Sequence, residues 1–250
     1  MEDTTKKIKR SLWEKSSTKE YPSEWDVLDG GGKISQRFWE YFKAIELLDL
    51  SPDSVILDIG GGSPLTGIGF FANVVSQFVK KVIILDPNIH DSIKAPQGIE
   101  FIREHASAKN FKNILMRNTD ITHIVSLSVF EHIEPKIRED IIKDINQYFA
   151  GYVFVTTYEY HSKKSFFEWQ LTTKTTSDLF ESFSNFYLTD YCASPVACIN
   201  SYDNKKSLVQ SHWLYRRLPH NTQCFVDEVF DVEIPRWYPV VVKFEKNTPN

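Results

Sequence analysis

The sequence predicts an α/β protein: a doubly wound, mostly parallel sheet of seven strands with helices on both faces. Three observations lead there. Short β-branched runs recur along the first two thirds of the chain, segments with apolar residues at helical spacing lie between them, and the first run ends in three consecutive glycines. Strands alternating with helices favour parallel pairing, because each crossover lays its helix against a face of the sheet.

The elements follow in order. Residues 35–48 place Phe38, Phe42, Ile45 and Leu48 near helical spacing, and Ser51-Pro52-Asp53 ends the run. Val55 to Ile59 reads as a buried strand that stops at Gly60. From Ile68, apolar positions at Phe71, Val75, Phe78 and Val79 repeat helically, so the glycine turn joins a strand to a helix. Val82 to Leu85 is a second buried strand, closed by Asp86-Pro87-Asn88. Ile99–Ile102 is a third, Ile124–Val129 a fourth, Ile137–Phe149 the helix after it, and Tyr152–Val155 a fifth strand. Further on, Thr176–Phe186 reads as a helix with Leu179, Phe180 and Phe183 on one side. Tyr187–Tyr191 and Trp237–Phe244 then read as the sixth and seventh strands.

This order gives one domain over residues 35–250, with an insertion at about 194–235, preceded by an N-terminal extension or lid at 1–34. The extension holds Tyr21, Trp25 and a second glycine triplet, Gly30 to Gly32, which suits a lid over a pocket or a flexible linker packed by one tryptophan. A chain of 250 residues, 42% hydrophobic, can bury one sizeable core. The formal charge of −4 gives no whole-chain attraction for polyanions, so DNA is not an expected partner. The first twenty residues lack the apolar stretch of a signal peptide, and no run approaches the length of a membrane span, so a cytoplasmic location is expected. Cys192, Cys198 and Cys224 form no CxxC pair, and with His212 they match no usual zinc spacing; no metal site is expected.

Parallel sheets bind ligands beyond the carboxyl ends of their strands, where the strand order reverses. The segment "VILDIGGGSPLTG" sits at such an end. It fails the dinucleotide pattern, since Leu65 falls where the third glycine is required, and it lacks the lysine of a phosphate loop. Asp58, two residues before the first glycine, repels a pyrophosphate but attracts an ammonium or sulfonium group. Asp86, one strand over, can accept two hydrogen bonds from the vicinal hydroxyls of a ribose. Taken singly, the glycines also suit a tight turn, Asp58 a helix cap, and Asp86 before a proline a simple turn. Together, at successive strand ends, they describe an adenosine-bearing, positively charged ligand.

These residues resemble the motifs of the class I S-adenosylmethionine-dependent methyltransferases, whose fold is Rossmann-like. Asp58, Gly60 and Gly62 match the first motif, with Pro64 in place of its third glycine; Ser63-Pro64 suits a helix N-cap and first helical residue. "VIILDPN" resembles the second motif, with Asp86 as ribose ligand. "IEFIREHASA" resembles the third strand and its turn, where His105 replaces the Asp that often meets the adenine amino group. "IVSLSVFEHIEP" resembles a fourth-strand segment reading S-x-x-V-x-E-H-I. The resemblance spans roughly residues 35–160. It implies S-adenosyl-L-methionine as cofactor, held by Asp58, Gly60, Gly61, Gly62, Asp86, Pro87, His105, Ser128 and Phe130, with Glu131 also near the pocket.

The acceptor is argued by elimination. Ser126-Leu127-Ser128-Val129 stands where amino-methylating DNA enzymes carry Asn/Asp-Pro-Pro-aromatic, no Pro-Cys pair exists for cytosine C5 chemistry, and the acidic residues Asp227, Glu228, Asp231 and Glu233 read as a solvated face. A small molecule remains, methylated on oxygen, such as a carbohydrate or glycoconjugate precursor. Aromatics from Tyr158 onward suit sugar faces as well as cores, and Arg216-Arg217 within "SHWLYRRLPH" suits a phosphorylated sugar or a surface hairpin. A hydroxyl acceptor calls for a general base, for which His161, after the fifth strand, and His132, after the fourth, are the candidates, with His161 favoured. A cofactor-binding regulatory protein without turnover, and a protein or RNA methyltransferase, are the alternatives.

Overall fold

The computed structural model describes residues 3–17, 36–63, 67–107, 109–127, 129–130, 133–161, 183–193, 198–199 and 236–246. The helices are α1 (Thr4–Ser17), α2 (Gln36–Leu48), α3 (Phe70–Val75), α4 (Phe111–Arg117) and α5 (Pro135–Tyr148). The strands are β1 (Val55–Ile59), β2 (Lys81–Leu85), β3 (Ile99–Ile102), β4 (His123–Ser126), β5 (Val153–His161), β6 (Phe186–Ala193), β7 (Cys198–Ile199) and β8 (Arg236–Lys246).

The strands form one sheet in the order β3-β2-β1-β4-β5-β8-β6, with β7 pairing β8 off that path. Neighbours among β1 to β5 run parallel, while β8 runs antiparallel to β5, β6 and β7. The seven expected strands are present, and the two-residue β7 adds an eighth from within the segment read as an insertion. The chain steps outward from β1 to β3, then crosses back to place β4 on the other side of β1. The order therefore reverses between β1 and β4, and the turn after β1 stands at that point.

Alternation along the strands sorts the core into two layers. Val55, Leu57 and Ile59 of β1, Ile83 and Leu85 of β2, and Phe154 of β5 pack with α4 and α5 through Phe111, Ile114, Ile141 and Ile145. Ile56, Val82, Ile84, Val125, Val153 and Val155 face the opposite way, onto Ile45 and Leu48 of α2, Phe71 and Val75 of α3, and Ile8 and Leu12 of α1. Both faces of the sheet are covered, which is why its central strands are apolar on both sides.

Several boundaries differ from the sequence reading. The fourth strand ends at Ser126, three residues early, because the chain turns there and seats Val129 over Gly60. The helix expected from Ile68 contracts to six residues, since Gly67 and Gly69 hold the preceding backbone in a turn. The fifth strand runs on to His161: Thr156 is its last residue paired with β4, and Thr157 to His161 continue along β8 alone. That continuation reaches about 16 Å past the edge of β4, at roughly 3.3 Å per residue. The helix expected over 176–186 lies outside the described residues except at its end, where Phe186 opens β6. Helices α1 and α4 are additions.

At the amino edge, His123 of β4 is wholly buried. Its Nδ1 lies 2.7 Å from the Thr122 hydroxyl, which donates to the Val55 carbonyl and accepts the Val55 N–H. Tyr152 meets the imidazole edge-on at 5.0 Å. Burial pushes this histidine down to about 4, outweighing a hydrogen bond to the Leu48 backbone carbonyl that raises it.

Candidate functional site

The turn after β1 is shaped by the side chains around it, and each glycine of the triplet has its own reason. Gly60 takes φ +73°, and its N–H donates to the Leu85 carbonyl at 2.8 Å. A Cβ there would come within 2.5 Å of Val129 Cγ2. A Cβ on Gly61 would overlap the Asp58 carboxylate, and one on Gly62 would stand 2.7 Å from Asp86 Cγ. Gly69, just before α3, donates to the Gly61 carbonyl at 2.8 Å and brings the helix back against the turn. The triplet is therefore a strip of bare backbone wedged between two carboxylates and a valine.

Asp58 is the penultimate residue of β1, opposite Ile84, and Asp86 follows the last residue of the adjacent β2; both are buried, at 2% and 6% exposure. Asp86 is well supplied: Oδ2 accepts the Gly62 N–H at 3.0 Å and Oδ1 the Asn88 N–H at 2.8 Å. An ionised carboxylate offers about four acceptor sites, so capacity remains for further donors. Asp58 differs, because its Oδ2 is buried and meets no hydrogen-bond partner. Burial first, and the neighbouring Asp86 charge second, push its carboxyl up to about 7.

The remaining predicted residues divide by position. Pro87 is half-buried in the turn after β2, and His105 is exposed in the turn after β3, where its carbonyl accepts from Asn110 Nδ2 at 2.7 Å. Phe130 is buried, its ring edge-on to Phe154 at 5.6 Å, so it props the turn after β4 from the α4 and α5 side. The backbone of His161 is the last residue of β5, opposite Trp237 of β8. Ser128, Glu131 and His132 lie outside the described residues, as do the glycines 30–32 and the Arg216-Arg217 pair. The structure thus brings Asp58, the glycine triplet, Asp86 and Pro87 together, with Phe130 behind the next turn.

Two residues of the site carry roles that sequence reasoning did not give them. Val129 roofs Gly60, which its place in an apolar run concealed. Gly67, at φ +75°, lies against Ile93 of the long connection between β2 and β3, and donates to the Ser63 carbonyl at 2.7 Å. Arg103 fastens that connection by donating from Nη2 to the Ile93 carbonyl. Among the described residues, no three His, Cys, Asp or Glu side chains gather as metal ligands, and no helix is long and apolar enough to cross a membrane. Chemically, the arrangement can receive vicinal hydroxyls beside Asp86 and a positive charge beside Asp58, with glycine backbone between them.

No protein-family model and no curated protein matches the sequence. Solved structures do match its fold. A S-adenosylmethionine-dependent methyltransferase from Anabaena variabilis superposes with a TM-score of 0.52 at 13% identity, over 99% of this chain and 96% of that one. A cyclopropane synthase from Mycobacterium tuberculosis gives 0.51 at 14% identity, over 96% and 94% of the two chains. The fold is that of the class I S-adenosylmethionine-dependent methyltransferases, with the mixed, Rossmann-like sheet described above.

Proposed function

We propose that this chain is an S-adenosylmethionine-dependent methyltransferase acting on an oxygen of a small molecule, with a carbohydrate or glycoconjugate precursor as the leading acceptor. The observation that carries the cofactor half is the Asp58 carboxyl: buried, with an unpartnered oxygen, beside a glycine strip and a second carboxylate at the topological switch point. Such a carboxylate is costly unless a cation or a proton meets it. Asp86 suits the ribose hydroxyls, Gly60, Gly61 and Gly62 let the ligand approach backbone, and Pro87, His105 and Ser128 complete the cofactor side, with Phe130 supporting the turn from the core.

Bound S-adenosylmethionine supplies a methyl group already made electrophilic by its sulfonium. The task left to the chain is alignment, which can contribute several kcal/mol, and removal of the acceptor's hydroxyl proton. We assign the base to His161, because its strand overshoots the sheet edge on the side where an acceptor approaches; His132, just before α5, is the second candidate. In this reading the N-terminal extension packs onto the core through Ile8 and Leu12 of α1, the residues between α1 and α2 serve as the lid, and the protein works in the cytoplasm.

Calorimetric titration with S-adenosylmethionine, S-adenosylhomocysteine and NAD tests the cofactor half. Micromolar binding of the first two without NAD supports it, and NAD binding alone, or no binding at all, sinks it. With an acceptor in hand, His161→Ala should cut turnover while leaving cofactor affinity intact; equal turnover would remove His161 from the base role.

A further inference from the structure

The surroundings of Asp58 raise a question of charge balance. Of the segments around it, the turn after β2 contributes Asp86, another anion. The chain after β4 contributes Leu127, Val129 and Phe130, and α3 has the uncharged sequence FFANVV. On β4, His123 stands at the amino end, paired with Ile56, while Val125 is the residue opposite Asp58. Among the helices on this face, α2 holds the buried Glu40, and Lys9 of α1 is engaged with Glu46. No described cation forms an ion pair with Asp58 or Asp86. Two buried carboxylates lie at the carboxyl ends of adjacent strands, and among the described residues only Asp86 is supplied with hydrogen-bond donors.

We propose that Asp58 holds a proton while the pocket is empty and releases it to solvent when the positive end of the ligand enters, so that binding exchanges a proton for a cation. The step is balanced: the Oδ–H bond breaks, the proton goes to buffer, and the electron pair stays on a carboxylate now facing the ligand's ammonium or sulfonium. A neutral carboxyl is the state that burial without donors favours, and a cation inside the pocket reverses that preference. The overlap of a Gly61 Cβ with Asp58 gives the exchange its geometry, because bare backbone at that position keeps the carboxyl next to the space a ligand would take. The inference rests on the cofactor reading above and adds that the pocket selects for charge.

The test is isothermal titration of the full chain at pH 6.0 in two buffers of contrasting ionisation enthalpy, with S-adenosylmethionine, S-adenosylhomocysteine and 5′-methylthioadenosine as probes. The last shares the nucleoside but carries neither ammonium nor sulfonium. The expected result is release of about one proton with the first two and none with the third, together with affinity for S-adenosylmethionine that falls roughly tenfold per pH unit below neutrality. Asp58→Asn should abolish the release; should that variant fail to fold, the wild-type pH series decides alone. Binding of S-adenosylmethionine with no proton release overturns the exchange and leaves the cofactor reading standing. Failure of all three probes to bind overturns both.

Discussion

Asp86 grips Gly62. The carboxylate at the end of β2 accepts the Gly62 N–H at 3.0 Å, so the residue suited to bind a ribose also fixes the turn that follows β1. One side chain thereby couples two neighbouring strand ends, and its removal should be felt at both.

Asp86→Ala should therefore weaken S-adenosylhomocysteine binding by about 10- to 100-fold, the range expected when hydrogen bonds to a charged acceptor are lost. Asp86→Asn, which keeps one acceptor, should fall between. Calorimetry on the folded variants reads this directly, and unchanged affinity would end the ribose assignment.

Gly61→Ala places a methyl group on the Asp58 carboxylate. Since its backbone is not in the left-handed region, the variant should fold with only a modest loss of stability while losing most of its cofactor affinity. Gly60→Ala should act the other way round. Its φ of +73° and the Val129 contact put the cost in the fold, about 1–3 kcal/mol by denaturant titration.

Asp58 should make the free protein less stable as pH rises. Its folded carboxyl sits near 7 against an unfolded value of 3.8, so the folded state holds a proton that the unfolded state has lost, and stability declines from pH 4 through 7. Between pH 5 and 8 the decline attributable to it is about 2–3 kcal/mol. Asp58→Asn should remove that slope in urea melts run across the range; a parallel slope in the variant would show that Asp58 is ionised throughout.

His123 should have the opposite sign. With a folded value near 4 against 6.5 unfolded, its neutral form is favoured in the fold, and stability present above pH 6.5 is lost as pH falls toward 4. From pH 7 to 5 the loss is about 2 kcal/mol. His123→Phe should flatten this limb whatever its effect on stability at pH 7.

Leu12→Ala in α1 should cost about 2–4 kcal/mol, as for other fully buried leucines. A cost below 0.5 kcal/mol would mean that α1 is detachable.

Leu12 shows what the sequence conceals. Strands β1 and β2 are legible because burial on both faces demands unbroken apolar runs, and the glycine turn is legible because little else tolerates its backbone. Helix α1 is not, since TTKKIKRSLWEKSS buries Ile8 and Leu12 beneath a polar surface and offers few apolar positions for a period to emerge. Seven-residue α4 is too short to show one. The end of β4 misleads because Leu127 and Val129 continue an apolar alternation, while in three dimensions Val129 leaves the strand and takes the space beside Gly60 that a side chain there would fill. The Asp86–Gly62 bond spans 24 residues and leaves no local trace.

Strand β8 has a consequence for the order in which the molecule can assemble. Among the described residues it is the sole partner of β6 and β7, and it lies between β5 and β6 although it follows both in the chain. A ribosome therefore makes β6 well before the strand it must pair with, and until residues 236–246 emerge, β5 is an open edge with nine residues of unpaired backbone on one side. Closure at that seam is a late, non-local event, the kind that slows folding and leaves nascent chains dependent on holdases. A lesion in β8 should thus appear in cells first as lost yield, before any purified protein shows a defect.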